Sequence, residues 1–212
     1  MELQKSNVSS KEEYIGERRV PVGEYLKLKK SSLLLYIYLQ KISTWNDGEK
    51  HRYIRECELN KTKMAKELKM TTRSVYDKLK RMEEIGLITY WYKKNGNKED
   101  KYIILPQVGD YYTLVDVSLK FVKSILRRCD ECLLRVFLFH KSYGRNGQEY
   151  YPTLQYIAES VGYSPTNLQR IIDCNNILEG FEIIKIRKEY VRVDGVTVEK
   201  NYYTYLKANK KQ

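Results

Sequence analysis

The chain has 212 residues, with 39 Lys plus Arg against 27 Asp plus Glu, a formal net charge of +12 and 42% hydrophobic residues. That apolar fraction can build ordinary cores and excludes wholesale disorder, and the length suits one large or two small domains. The positive surplus favours a polyanionic partner, nucleic acid ahead of an acidic membrane surface.

Residues 1–19 are polar with nearly matched charges and read as a mobile N-terminal arm. Gly23 to Leu28 reads as a short strand. Ser31 or Ser32 then suits the cap of a helix whose centre, Leu33 to Leu39, is apolar nearly all round and therefore buried. Residues 44–60 are polar, contain Asn46-Asp47-Gly48, and read as a loop. Lys61 to Leu68 places Met64, Ala65 and Leu68 on one helical face. Lys69-Met70-Thr71 turns the chain, and Thr71 or Thr72 can cap a second helix. Val75, Leu79 and Met82 fall at the spacing of a core-facing stripe, and Gly86 suits a left-handed helix end. Ile88 to Lys93 reads as a strand, Asn95-Gly96 as a hairpin turn, and Tyr102 to Leu105 as the returning strand, which Pro106 stops.

The order then restarts. Gly109 to Tyr112 echoes Gly23 to Leu26, Ser118 to Arg128 reads as an added helix, and Cys132 to Phe139 echoes the buried helix. Gly144 to Gln148 reads as a loop. Thr153 to Val161 and Pro165 to Leu178 read as the second helix pair, with Ser164-Pro165 as a cap followed by proline at the first helical position. Ile183 to Val193, Asp194-Gly195 and Val196 to Leu206 spell a longer hairpin. Ala65 and Ala158, Val75 and Leu168, Leu79 and Ile172, and Ile85 and Leu178 all stand at one common offset.

Two short helices around a tight turn followed by a hairpin, in a basic chain, point to a winged helix-turn-helix. The expected fold class is therefore α+β, mainly helical, with two tandem winged helix-turn-helix domains at 20–107 and 108–207 and a basic tail at 208–212. A reading helix needs an apolar face to anchor it and a polar face for the major groove. In the first copy Arg73, Ser74, Tyr76 and Lys80 face outward, with Lys93, Lys94 and Lys98 around the hairpin tip. In the second, Leu168, Ile171 and Ile172 are the expected anchors. Thr166, Asn167, Gln169 and Arg170 face outward, and Arg187, Lys188 and Arg192 decorate the hairpin. Arginine can pair bidentately with guanine, and Asn or Gln with adenine, so the second copy is expected to read more sequence and the first to grip more backbone.

Other chemistry is disfavoured. Cys129 and Cys132 have metal spacing but no second pair, Cys57 and Cys174 are distant, and His51 and His140 stand apart, so no metal site is expected. There is no phosphate-binding glycine loop, and no cofactor or catalytic activity is expected. No run of 18 apolar residues occurs and Met1 to Glu13 lacks a secretory core, so the expected location is cytoplasmic with no membrane partner.

The opening Gly23 to Leu28 with Leu33 to Leu39, and the stretch Thr71 to Ile88, resemble the winged-helix domains of plasmid replication initiators and phage replisome organisers of Gram-positive bacteria. The resemblance implies that the outward residues of both helices contact DNA. It makes double-stranded DNA the expected partner, with replication proteins and a homodimeric second copy as further ones. The chain departs from those proteins in lacking a recognisable helicase-recruiting domain. The expected function is sequence-specific duplex binding in replication initiation or its control. A transcriptional regulator of the same architecture and a winged-helix protein–protein adaptor are the alternatives.

Overall fold

The computed structural model describes residues 17–46, 51–95, 98–105, 112–116, 130–144 and 148–206. The fold is α+β: among the described residues lie six α-helices and nine strands in three antiparallel sheets. No helix among these residues is long and apolar enough to cross a membrane.

Strand β1 (Glu17–Pro21) pairs with β6 (Tyr112–Asp116), from Glu17 opposite Asp116 to Pro21 opposite Tyr112. This corrects the mobile-arm reading for residues 17–19, whose strand partner lies in the other half of the chain. Gly23–Lys27 is a 3-10 turn rather than a strand. Gly23 takes φ +63°, and the turn tucks Leu26 into the core. Helix α1 (Lys30–Ile42) follows, with Leu33 to Gln40 all buried. Neither Ser31 nor Ser32 caps it. The Lys30 backbone N–H donates instead to Glu131 Oε2, 2.9 Å away, so the cap comes from the second half of the molecule.

The stretch read as a loop holds β2 (Thr44–Asn46) and β3 (His51–Arg55), paired from Thr44 opposite Tyr53 to Asn46 opposite His51. Helices α2 (Lys61–Glu67) and α3 (Thr72–Glu84) come next, then β4 (Thr89–Asn95) and β5 (Lys98–Leu105). Sheet order is β2-β3-β5-β4, so the last strand lies between β3 and β4. Gly86 takes φ +72° after α3, as its position demands.

The second half repeats the order with α4 (Glu131–Tyr143), β7 (Glu149–Tyr150), α5 (Leu154–Ser160), α6 (Leu168–Gly180), β8 (Ile184–Val193) and β9 (Val196–Tyr205). Its sheet order, β7-β9-β8, again puts the last strand in the middle. Asp194 and Gly195 both take positive φ between the paired Val193 and Val196, the geometry of a tight primed turn that matches strand twist. The echo at Gly109–Tyr111, the Ser118–Arg128 helix, the boundary at 107–108, Gly96 and the basic tail lie outside the described residues.

The repeat register holds for the first helix of each pair and shifts in the second. Met64, Ala65 and Leu68 correspond to Ile157, Ala158 and Val161, all buried. Lys69 and Gly162 follow at φ +52° and +78°. Helix α6, however, starts at Leu168, three residues later than the common offset puts it. Ser164 Oγ contacts Thr166 Oγ1 at 2.8 Å and the Thr166 N–H at 3.3 Å, so Ser164-Pro165 opens a turn and not the helix. Val75 therefore corresponds to Ile171, and Met82 to Leu178. The left-handed position after α6 is Glu182, at φ +55°, while Gly180 stays helical.

Both halves share one apolar core. Val22 and Leu26 join Leu33 to Leu39 of α1 and Cys132 to Phe139 of α4 in a single buried set. Each fully buried Leu or Ile contributes roughly 1.5–3 kcal/mol, so this junction is a substantial part of the fold's stability.

Candidate nucleic-acid interface

Asn60 caps α2 by accepting the Lys63 N–H at 2.8 Å, and Thr71 caps α3 by accepting the Ser74 N–H at 3.1 Å. Between them the Met70 N–H reaches the Ala65 carbonyl at 2.9 Å, closing a turn that Lys69 makes in the left-handed region. Val75, Leu79 and Met82 anchor α3 in the core with at most 2% exposure. This spacing turns Arg73, Tyr76, Asp77 and Lys80 to solvent, with Ser74 half-buried at the helix start.

The exposed side chains of this face are largely uncommitted. Arg73 and Lys80 make no ion pair with any described residue. Lys93 and Lys94 are exposed on β4 opposite Asp100 and Glu99, again without an ion pair. The Tyr76 ring lies 4.4 Å from the Lys61 ammonium, which also bonds Glu56 at 3.0 Å. Lys101 is spent within the protein, 3.5 Å from Glu56 and 4.0 Å from the Tyr90 ring centre. Lys98 lies on β5, with its side chain outside the described residues. The sequence reading passed over Thr62, Lys63, Lys66 and Lys69, which are exposed beside this face. Their signal is the polar remainder of the helix whose apolar stripe is Met64, Ala65 and Leu68.

The second copy is committed differently. Thr166 and Asn167 precede α6 instead of lying on it, and Asn167 is its N-cap without a side-chain bond. Leu168 and Ile172, expected as anchors, are only half-buried, whereas Ile171, Cys174, Asn175 and Leu178 are buried. Gln169 Nε2 donates to Asp173 Oδ1 at 2.9 Å. Arg170 pairs with Asp130 at 3.0 Å and lies 5.6 Å from the Tyr163 ring centre. Burial alone would raise the Asp130 carboxyl, but the Leu133 N–H and the Arg170 guanidinium hold it below its ordinary value. On the hairpin, Arg187 bonds Glu149 at 2.7 Å and Glu189 at 3.2 Å and covers the Tyr202 ring at 4.1 Å. Lys188 pairs with Glu199 at 3.0 Å, and Arg192 donates to the Gly195 carbonyl at 3.4 Å. Arg73, Lys80, Lys93 and Lys94 of the first copy thus lack an ion pair among the described residues, whereas Arg170, Arg187 and Lys188 of the second are paired.

No group of three or more His, Cys, Asp or Glu side chains suited to a metal occurs among the described residues. Cys132 and Cys174 are buried helix residues, and the Cys132 hydrogen bond with burial holds the Cys174 thiol above its ordinary value. His140 is fully buried between Tyr150 Oη, 2.8 Å from Nδ1, and Asn175 Oδ1, 2.9 Å from Nε2. Asn175 Nδ2 donates to Tyr203 Oη, which leaves its oxygen to accept, so Nε2 carries the imidazole proton in this network. No protein-family model and no curated protein sequence matches the chain.

Proposed function

We propose that this chain is a sequence-specific double-stranded DNA-binding protein built of two tandem winged helix-turn-helix units, acting in plasmid or phage replication initiation or its control. The observation that carries the reading is α3. Three buried residues fix it on the core, while Arg73, Tyr76 and Lys80 project from it with Lys93 and Lys94 on the adjoining hairpin. A short capped helix, a tight turn and a second amphipathic helix are what a major-groove reader requires. The element order and sheet order that recur in the second half support two such units. The net charge of +12 supports a polyanionic partner. Assignment to replication rests on the sequence resemblance, and a transcriptional regulator would use the same surfaces.

The test is anisotropy titration of duplexes selected from a random pool. Binding should favour the selected sequences over random duplex and weaken with salt. Arg73→Ala should cost about 1–3 kcal/mol and relax one base position, whereas Lys93→Ala should weaken all duplexes alike. Equal affinity for every duplex, or affinity indifferent to salt, would remove the reading.

One observation favours the adaptor reading for the second hairpin. Its tip pairs Val191 with Val198 and Val193 with Val196, and Val193, Val196 and Val198 are exposed at 51%, 63% and 44%. An apolar tip suits a protein surface better than phosphate. Val196→Lys should then leave duplex affinity intact and abolish a protein contact; a rise in duplex affinity would return the hairpin to DNA.

A further inference from the structure

Helix α4 is apolar from Cys132 to Phe139 except at one position, Arg135, which is only 6% exposed. A guanidinium in such a place must satisfy its donors inside the protein or destabilise it. Arg135 does so by holding backbone from both halves. Nε donates to the Leu28 carbonyl at 3.1 Å. One terminal nitrogen reaches the Leu28 carbonyl at 2.9 Å and the Lys27 carbonyl at 3.1 Å, and the other the Val161 carbonyl at 3.1 Å. Lys27 and Leu28 lead directly into α1, and Val161 ends α5, the first helix of the second pair. Glu131 completes the arrangement. Its Oε1 accepts from Arg135 at 2.6 Å, and its Oε2 accepts the Lys30 N–H that opens α1.

The position corresponding to Arg135 on α1 is the buried Leu34, so the device has no twin in the first half. It is a clasp between the halves, and no local fold requirement explains it. The neighbouring residue, Asp130, caps α4 through the Leu133 N–H and pairs with Arg170 of α6. The second reading helix is thereby tied to the same helix start that grips α1.

We infer that Arg135 and Glu131 are positioning residues that hold the two helix-turn-helix units in one orientation, so that the chain reads a single bipartite duplex site at one spacing. This rests on the duplex-binding reading above. A rigid pair tolerates no other spacing, because inserting about half a helical turn, some 5 base pairs, rotates one half-site to the opposite face of DNA. Units on a loose joint would accept many spacings at similar affinity.

Two measurements separate the clasp from the DNA assignment. The first uses the full chain without DNA, with spin labels at Glu83→Cys on α3 and Asn176→Cys on α6, and with Cys57 and Cys129 replaced by Ser. The parent should give one narrow distance distribution. Arg135→Met and Glu131→Ala should broaden it roughly two-fold, as the loosened junction regains interdomain motion, and Arg135→Lys should fall between. Glu131 is half-exposed, so its variant keeps the test open where Arg135→Met fails to fold. A broad parent distribution, or a width unchanged in both variants, overturns the clasp. The second measurement selects duplexes from a random pool with parent and with Glu131→Ala. Two sequence elements at one spacing for the parent, spreading over several spacings in the variant, is the expected result. Several spacings for the parent, or one spacing for both proteins, overturns the inference. No enriched sequence, with the distance results as expected, overturns the duplex-binding reading and leaves the clasp standing.

Discussion

His140 shows how burial decides the behaviour of one side chain. Burial pushes its imidazole down from 6.5 to about 4, against the bond to Asn175, which favours the charged form. Between those values the unfolded chain binds more protons than the folded one. The contribution of His140 to stability is therefore complete above about pH 6.5 and is lost as pH falls toward 4, by up to about 3 kcal/mol. Urea unfolding across that window checks the sign. His140→Gln should flatten the slope while leaving unfolding cooperative, and an unchanged slope would assign it to other groups. Sequence alone presents His140 as an isolated histidine beside Lys141. Its partners Tyr150 and Asn175, and Tyr203 that accepts from Asn175, come from three different elements, and only packing brings them together. Arg170 carries the same lesson for the candidate interface: its residue type suits base reading, but whether it is already bonded depends on Asp130, forty positions away.

At the scale of elements, two glycines at helix ends, Gly86 after α3 and Gly162 between α5 and α6, make parallel experiments. Gly86 and Gly162 both occupy the left-handed region, where a side chain is strained. A Cβ on Gly86 would meet nothing within 4 Å, whereas one on Gly162 would come within 3.0 Å of the Lys27 side chain and 3.4 Å of its Cα. Gly86→Ala should cost about 1 kcal/mol from backbone strain alone, and Gly162→Ala measurably more. Chemical unfolding of the two variants compares them directly, and equal costs would mean that Lys27 yields freely. The helix caps follow simpler rules. Thr71→Ala and Thr153→Ala should each remove about 1 kcal/mol, since each hydroxyl accepts one helix N–H. The Thr71 cap and the core stripe of α3 were legible because they depend on neighbours within one or two turns. The start of α6 was not. Ser164-Pro165 carries a strong local signal, but a Ser–Thr turn satisfies the same groups and delays the helix to Leu168.

For the whole molecule, the distribution of uncommitted charge predicts unequal electrostatic roles. Replacing Lys93 and Lys94 by Gln should lower the slope of log affinity against log salt by about 2. Replacing Arg187 and Lys188 by Gln should change it less, because both already pair with carboxylates within 3.2 Å. Binding isotherms on one duplex at several salt concentrations measure both slopes. A larger effect at the second hairpin would mean that its ion pairs open to phosphate, which exposed pairs do at little cost.

The local sequence determined the helices, the hairpin turn at Asp194-Gly195, the buried stripe of each first helix and the restart of the element order. Each follows from periodicity, caps and left-handed positions within a few residues. Tertiary structure alone decided that β1 pairs with β6, that Glu131 caps α1, that Arg135 grips both halves, and that Arg170, Arg187 and Lys188 are paired with carboxylates. Those outcomes depend on which distant groups meet. A carboxylate or guanidinium carries no mark in the chain of the partner that will neutralise it. The apolar stripes say that both halves have faces to bury, and only the assembled core shows that they bury them against each other.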